Sequence, residues 1–321
     1  MLLHNDKELF EELIEATAKE LKILPLYVEK DYWVTNILKQ LSVSDFLDTA
    51  IFKGGTSLSK AYKIIERFSE DIDLAVITNG QKSNQIRALI RKIEKDILSD
   101  SFKEIKDHKQ VSKGSQFRKT VHAYPKIKEG NFGHANENII LELNSFAHPH
   151  PYIKKPITTY IHDFLAQKAP EIIKENELDS FEVNVLDYRR TFCEKISAIA
   201  RASYESDEDF TQLKEKIRHI YDIYFLMQEE EIQNFLHSDE FEDMINKVRI
   251  DDQAQFDKND WAIILLSSTN IFTNTVDILD HLEHYYNNNF KDLVYEDTLP
   301  LMDNIKMEIE KLAEILKEKN L

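Results

Sequence analysis

Apolar residues return at helical spacing along the N-terminal stretch. Leu9, Phe10, Leu13, Ile14 and Leu21 predict a helix over 7–21, and VEKDYWVTNILKQL forms the body of a second over 26–41. A short strand ending near Phe52 follows, then a turn at Gly54-Gly55 and a helix over 56–67. There Leu58, Ala61, Tyr62 and Ile65 keep i, i+3, i+4, i+7 spacing, which gives one buried face. EDIDLAVI reads as a strand. A polar helix fills 83–98, with Ile86, Leu89, Ile90 and Ile93 in phase. Two more strands are expected over 115–124 and 138–146. In NIILELNSF, Ile139, Leu141 and Leu143 face one way, Ile140 and Glu142 the other. From about 160 onward the pattern is helical.

The elements predict an α+β chain: a small mixed sheet with helices, then a mainly helical half. A proline-containing stretch, HPHPYIKKP at 148–156, marks the expected boundary, giving domains 1–155 and 156–321. Glycine and proline are scarce, 6 and 7 in 321 residues, so turns are short and no long linker is expected. No apolar run reaches the ~18 residues of a membrane span. MLLHNDKELF has no basic region followed by an apolar one, so no signal peptide is expected. Cys193 is the single cysteine, compatible with a reducing, cytoplasmic setting.

Net charge is -17, which argues against a general nucleic-acid-coating protein but not against an enzyme that grips nucleic acid locally. One stretch runs against the acidic balance: 103–128 holds eight Lys or Arg and two acids. It is either a solvated surface or a strip that contacts phosphates.

Asp71 and Asp73 bring candidate chemistry. On a strand, i and i+2 point to one face, ~6.6 Å apart along the backbone. Two carboxylates so placed repel unless a cation lies between them, and such pairs bridge Mg²⁺. Gly54 and Gly55 allow a close approach of backbone to a ligand, and the helix after them offers N–H groups to an anion, with Thr56 and Ser57 adding hydroxyls. The plain alternatives are two solvated acids at a strand end and an ordinary helix-capping turn.

KGGTSLSKAY followed by RFSEDIDL resembles the nucleotidyltransferase core of the DNA polymerase β superfamily, in its AbiEii/AbiGii toxin branch. VEKDYWVTNIL before it, and TFCEKISAI and RHIYDIYFL after it, are similar to other segments of that branch in the same order. The resemblance covers 25–227 and leaves 228–321 without a counterpart. It differs in having Thr56 where the superfamily often has Ser. It implies Mg²⁺ or Mn²⁺ held by Asp71 and Asp73, with Glu142 as a candidate third carboxylate, against a surface role for that residue. It implies a nucleoside triphosphate held at Gly54, Gly55, Thr56, Ser57 and Lys60.

TFCE, Thr191 to Glu194, has a capping-box pattern, which starts a helix at Thr191 and puts Lys195 in its first turn, where a cation is disfavoured unless an anion is near. The resemblance gives Lys195 the nucleotide's phosphates and makes Asp222 the residue that orients the lysine or the nucleotide. Arg189 and Arg190 are weaker phosphate candidates. Arg218 and Asp222, four apart, otherwise read as a surface pair. Lys30 and Asp31 are candidates for a structural ion pair. His148 and His150 lack further ligands at a metal-binding spacing.

The expected reaction is metal-dependent transfer of a nucleotide from a triphosphate to an RNA acceptor, tRNA among the candidates. A role in a toxin–antitoxin or phage-defence pair with a cognate antitoxin goes with it, the helical half completing the active site. A protein hydroxyl as acceptor, and a catalytically idle nucleotide-binding module, are the alternatives.

Overall fold

The computed structural model describes residues 2–133, 135–146, 148–255, 260–295 and 299–321, with the backbone alone of residue 262. It divides into two compact units: 1–63 with 67–186, and 64–66 with 187–321.

In the first unit, α1 (Lys7–Leu21) starts where the Asp6 side chain accepts the Leu9 N–H, and ends with Lys22 in the left-handed region. Helix α2 (Pro25–Val43) opens on proline at its first turn and is buried on every side from Leu26 to Thr35, charged residues included. Strand β1 (Ala50–Lys53) runs straight into α3 (Gly54–Ser57). A helix was expected to reach 67. Instead α3 widens into a five-residue π turn, Leu58–Tyr62, and stops at Lys63, whose φ of 58° closes it. Ile65, expected on the buried face of that helix, lies in the 64–66 segment of the other unit. Next come β2 (Ile72–Val76) and α4 (Ser83–Ile97), which buries Ile86, Ile90, Ile93 and Ile97.

Strands β3 (Lys103–Glu104), β4 (Ser112–Lys113), β5 (Phe117–Ala123), β6 (Ile139–Asn144), β7 (Tyr152–Ile157) and β8 (Phe181–Leu186) complete one mixed sheet. Its order is β3-β5-β6-β2-β1-β8-β7, with β4 also on β5. β2 is antiparallel to β1 and parallel to β6, and β1 is parallel to β8. The stretch 148–156, where the sequence suggested a boundary, leads into β7. Helices α5 (Tyr160–Lys168) and α6 (Pro170–Glu175) then return the chain to β8, so the sheet closes only at Leu186.

Alternation assigns the faces. Phe52, Ile72, Leu74, Leu141, Leu143, Val183 and Val185 join Phe10, Trp33, Ile37, Ile90 and Ile93 in one apolar core with the helices. The residues between them, Lys53, Asp73 and Glu142, project from the opposite face.

The second unit contains α7 (Tyr188–Tyr204), α8 (Thr211–Glu215), α9 (Ile217–Leu226), α10 (Glu230–Leu236), α11 (Asp239–Gln255), α12 (Asn270–Thr273), α13 (Thr275–Tyr285) and α14 (Met302–Glu318). Its interior buries Phe192, Ile196 and Ile199 of α7, Ile220 and Ile223 of α9, and Phe241 and Ile245 of α11.

Candidate active site

The register of four strands builds a row of charges. Lys53 on β1 is opposite Asp73 on β2, Asp73 is opposite Glu142 on β6, and Glu142 is opposite Lys119 on β5. Neighbouring strands lie ~4.8 Å apart, so a base, two acids and a base line up across one face. Lys119 Nζ lies 3.5 Å from Glu142 Oε2. Asp71, just before β2, adds a third carboxylate in phase with Asp73. Asp71, Asp73 and Glu142 are all half-buried.

The electrostatics reflect the crowding. Loss of water, then the negative charges of Glu142 and Asp71, push the Asp73 carboxyl up to about 8, against the pull of Lys53 and Lys119. An acid displaced so far by burial and by neighbouring acids is a group that a cation would stabilise. Among the described residues, no three His, Cys, Asp or Glu side chains are gathered closely enough to hold a metal as they stand. The donors nevertheless fit Mg²⁺ or Mn²⁺: hard carboxylate oxygens, with the remaining positions open to phosphate.

The glycine turn is built against these acids. Gly54 has φ +80°, and a Cβ there would collide with Asp73 Oδ2. A Cβ on Gly55 would lie 2.6 Å from Arg67 Nη2 and 3.2 Å from Ser69 Oγ. Thr56 Oγ1 donates to the Asp71 carbonyl at 2.6 Å and meets Ser69 Oγ at 2.8 Å, and Ser57 Oγ donates to the Gly54 carbonyl at 2.8 Å. A hydroxyl has one proton to give. The two expected hydroxyls are thus engaged inward: Thr56 ties the turn to the acid-bearing segment, and Ser57 closes the turn on itself.

Lys60, expected at the nucleotide, is buried and paired with Asp31. Asp31 thus takes Lys60 as its counter-ion, and Lys30 donates to the Asn136 carbonyl. Lys53, Lys119, Arg67 and Ser69 were not singled out in the sequence. Arg67 and Ser69 stand within the quoted RFSEDIDL, but the two lysines gain meaning only from strand register.

In the second unit, Lys195 and Asp222 come together. Helix α7 begins at Tyr188, because Asp187 caps it by accepting the Arg189 N–H at 2.9 Å. The Thr191 start does not occur, and Lys195 lies about two turns into the helix. The dipole argument for a nearby anion lapses. Lys195 Nζ instead meets Asp222 Oδ2 of α9 at 2.7 Å, with His219 Nδ1 at 3.3 Å. Asp222 is fully buried, so its contact with Lys195 lies in the core and not on the surface. Arg189 pairs with Asp187 and Glu240, and Arg190 with Asp251. His148 and His150 are exposed.

A family model described as nucleotidyl transferase AbiEii toxin, Type IV TA system, matches residues 36–316. The chain belongs to this family. The AbiEii match spans the last third of the chain, for which the sequence alone offered no counterpart, and leaves Glu29, Lys30 and Asp31 outside. No curated protein matches. Two solved structures from Helicobacter pylori are similar. JHP933 has 15% identity over 92% of this chain and 94% of its own, TM-score 0.42. A candidate nucleotidyltransferase has 16% identity over 91% and 94%, TM-score 0.41. The assignment to AbiEii nucleotidyltransferase toxins, and with it an antitoxin partner, rests on the family match alone.

Proposed function

We propose that the protein transfers a nucleotide from a nucleoside triphosphate to an RNA acceptor in a metal-dependent reaction. The observation that carries this reading is the collision a side chain on Gly54 would have with Asp73 Oδ2. An anion-binding turn directly against a carboxylate is self-defeating unless a cation joins the two. A triphosphate with its divalent ion supplies that cation. Asp71 and Asp73, with Glu142 beside them, would hold Mg²⁺ or Mn²⁺, which when bound neutralises phosphate charge and acidifies the attacking hydroxyl. The backbone of Gly54 to Ser57 orients the phosphates, while Lys53 and Lys119 offset surplus negative charge. Positioning and electrostatics then supply most of the rate.

RNA as the acceptor is supported by the basic strip. Lys113, Arg118, Lys119, Lys126 and Lys128 pair with acids, several of them from outside it. Lys103, Lys106 and Lys109 remain exposed, with no ion pair among the described residues. Free lysines on an acidic chain are what a phosphate backbone would meet, and tRNA is the acceptor we would test first. No helix of the described residues is long and apolar enough to cross a membrane, and we place the reaction in the cytoplasm.

The test is incubation with each labelled nucleoside triphosphate, Mg²⁺ and total cellular RNA, with RNA and protein fractions separated. Label is expected in RNA, and lost with Asp71→Ala/Asp73→Ala along with growth arrest. Label in protein would overturn the acceptor, and binding without pyrophosphate release would overturn catalysis. A toxic double variant would sink the mechanism.

A further inference from the structure

Three consecutive charged residues on α2, Glu29, Lys30 and Asp31, are buried. Successive helical residues diverge by ~100°, so the three reach in different directions. Glu29 accepts the N–H groups of Ile127 and Lys128 at 2.7 and 2.9 Å. Lys30 donates to the Asn136 carbonyl, while the Asn136 N–H is held at 2.9 Å by Glu70, next to Asp71. Asp31 turns toward the glycine segment.

The Asp31 contact is the most constrained. Its partner Lys60 lies in the π turn that continues α3, and the two are 4% and 2% exposed. Asp31 Oδ2 also accepts the Tyr160 N–H at 2.9 Å, and the Tyr160 ring lies 5.3 Å from Lys60 Nζ. Thus α2, the start of α5 and the glycine segment meet at one point.

Burying two opposite charges is costly, and an apolar pair of similar volume often stabilises as much or more. What the ion pair adds is direction: a short contact to a side chain anchored elsewhere admits one course for the π turn. Such turns concentrate at functional sites. This one is continuous with Gly54–Ser57, whose N–H groups must meet phosphate beside Asp71 and Asp73. Since the Lys60 ammonium is enclosed and taken by Asp31, it is poorly placed to bind the nucleotide itself.

We propose that Asp31 is a positioning residue for nucleotide transfer. Acting through Lys60, it fixes the path of the Gly54–Ser57 turn against the carboxylates. The inference rests on the functional reading above.

The experiment titrates ATP, CTP, GTP and UTP with Mg²⁺ into the full-length protein by calorimetry. With each triphosphate that binds, Kd, KM and kcat are compared for wild type, Asp31→Glu, Asp31→Asn, Lys60→Met and Asp31→Leu/Lys60→Met, and melting curves show which variants are folded. Asp31→Glu keeps the charge on a longer arm and is expected to raise Kd and KM at least threefold while folded. Asp31→Asn and the double variant are expected to raise both at least tenfold, the double despite a wild-type melting temperature. Wild-type Kd and KM in Asp31→Glu overturn the proposal, even if the other two fail to fold; so do wild-type values in a folded double variant. Weak binding by Lys60→Met with normal binding by Asp31→Asn would overturn it in favour of a direct Lys60–phosphate contact. Absence of binding by wild type to any triphosphate overturns the functional reading first, which separates the two failures.

Discussion

Lys195 and Asp222 meet at 2.7 Å between two helices of the second unit, and both are almost fully buried, at 3% and 0%. Neither charge has water to fall back on. Lys195→Ala should therefore take from Asp222 its buried lysine counter-ion and lower stability by about 3–5 kcal/mol. Lys195→Met/Asp222→Leu should recover most of that loss, because the desolvation cost leaves with the charges. Urea denaturation without nucleotide measures both. A Lys195→Ala protein as stable as wild type would show that the pair does not hold in solution.

Asp73 sets a pH dependence. Its carboxyl is raised from 3.8 to about 8. Between those values the folded protein keeps a proton that the unfolded chain has released. The stability that Asp73 contributes without divalent ions is then full below pH 4 and is lost as pH rises toward 8. Melting temperatures in chelator should fall across that window. Asp73→Asn should flatten the slope and melt higher near pH 8, while losing transfer. Added Mg²⁺ should bind more tightly as pH rises, because it displaces the proton. A slope that survives in Asp73→Asn would assign it to another group.

Lys119 tests the charge row in the opposite direction. Its positive charge, beside Glu142, holds the Asp73 pKa down. Lys119→Met should raise the Asp73 titration further, with little effect on folding. Carbon NMR of labelled aspartate, read without metal, follows it directly. An unmoved titration would mean that the Lys119 charge does not reach Asp73.

The two glycines should not be equivalent. Gly54→Ala meets both a positive φ, about 1–2 kcal/mol unfavourable for an alanine, and the Asp73 carboxylate. Gly55→Ala meets the far end of the flexible Arg67 side chain. We expect Gly54→Ala to destabilise more and to abolish triphosphate binding, and Gly55→Ala to weaken binding while remaining folded. Denaturation and calorimetry on the two variants give the comparison.

Part of this was legible in the sequence because it is local. Period-2 alternation marked Glu142 as facing away from Leu141 and Leu143, and the Gly54-Gly55 turn stood immediately before its helix. Other parts depend on distant pairing. Nothing in Lys53 or Lys119 announces that a parallel β2–β6 pairing, about seventy residues apart, puts them at either end of one row. β7 and β8 were missed for different reasons. Pro156 interrupts one, and FEVNVL in the other follows directly on residues of helical pattern. At Lys195, the capping-box pattern was real but lost to Asp187, which caps four residues earlier. Lys60 and Asp222 show the limit of reading charge as exposure: each found its counter-ion far along the chain and went inside.

Strand β7 ends the sheet with Lys154, Lys155 and Pro156 in succession, next to a single hydrogen-bonded neighbour, β8. A strand rim that carries like charge and lacks one amide donor is a poor template for a copy of itself. The rim at β7 is therefore a seam that a second copy would find hard to extend, strand against strand.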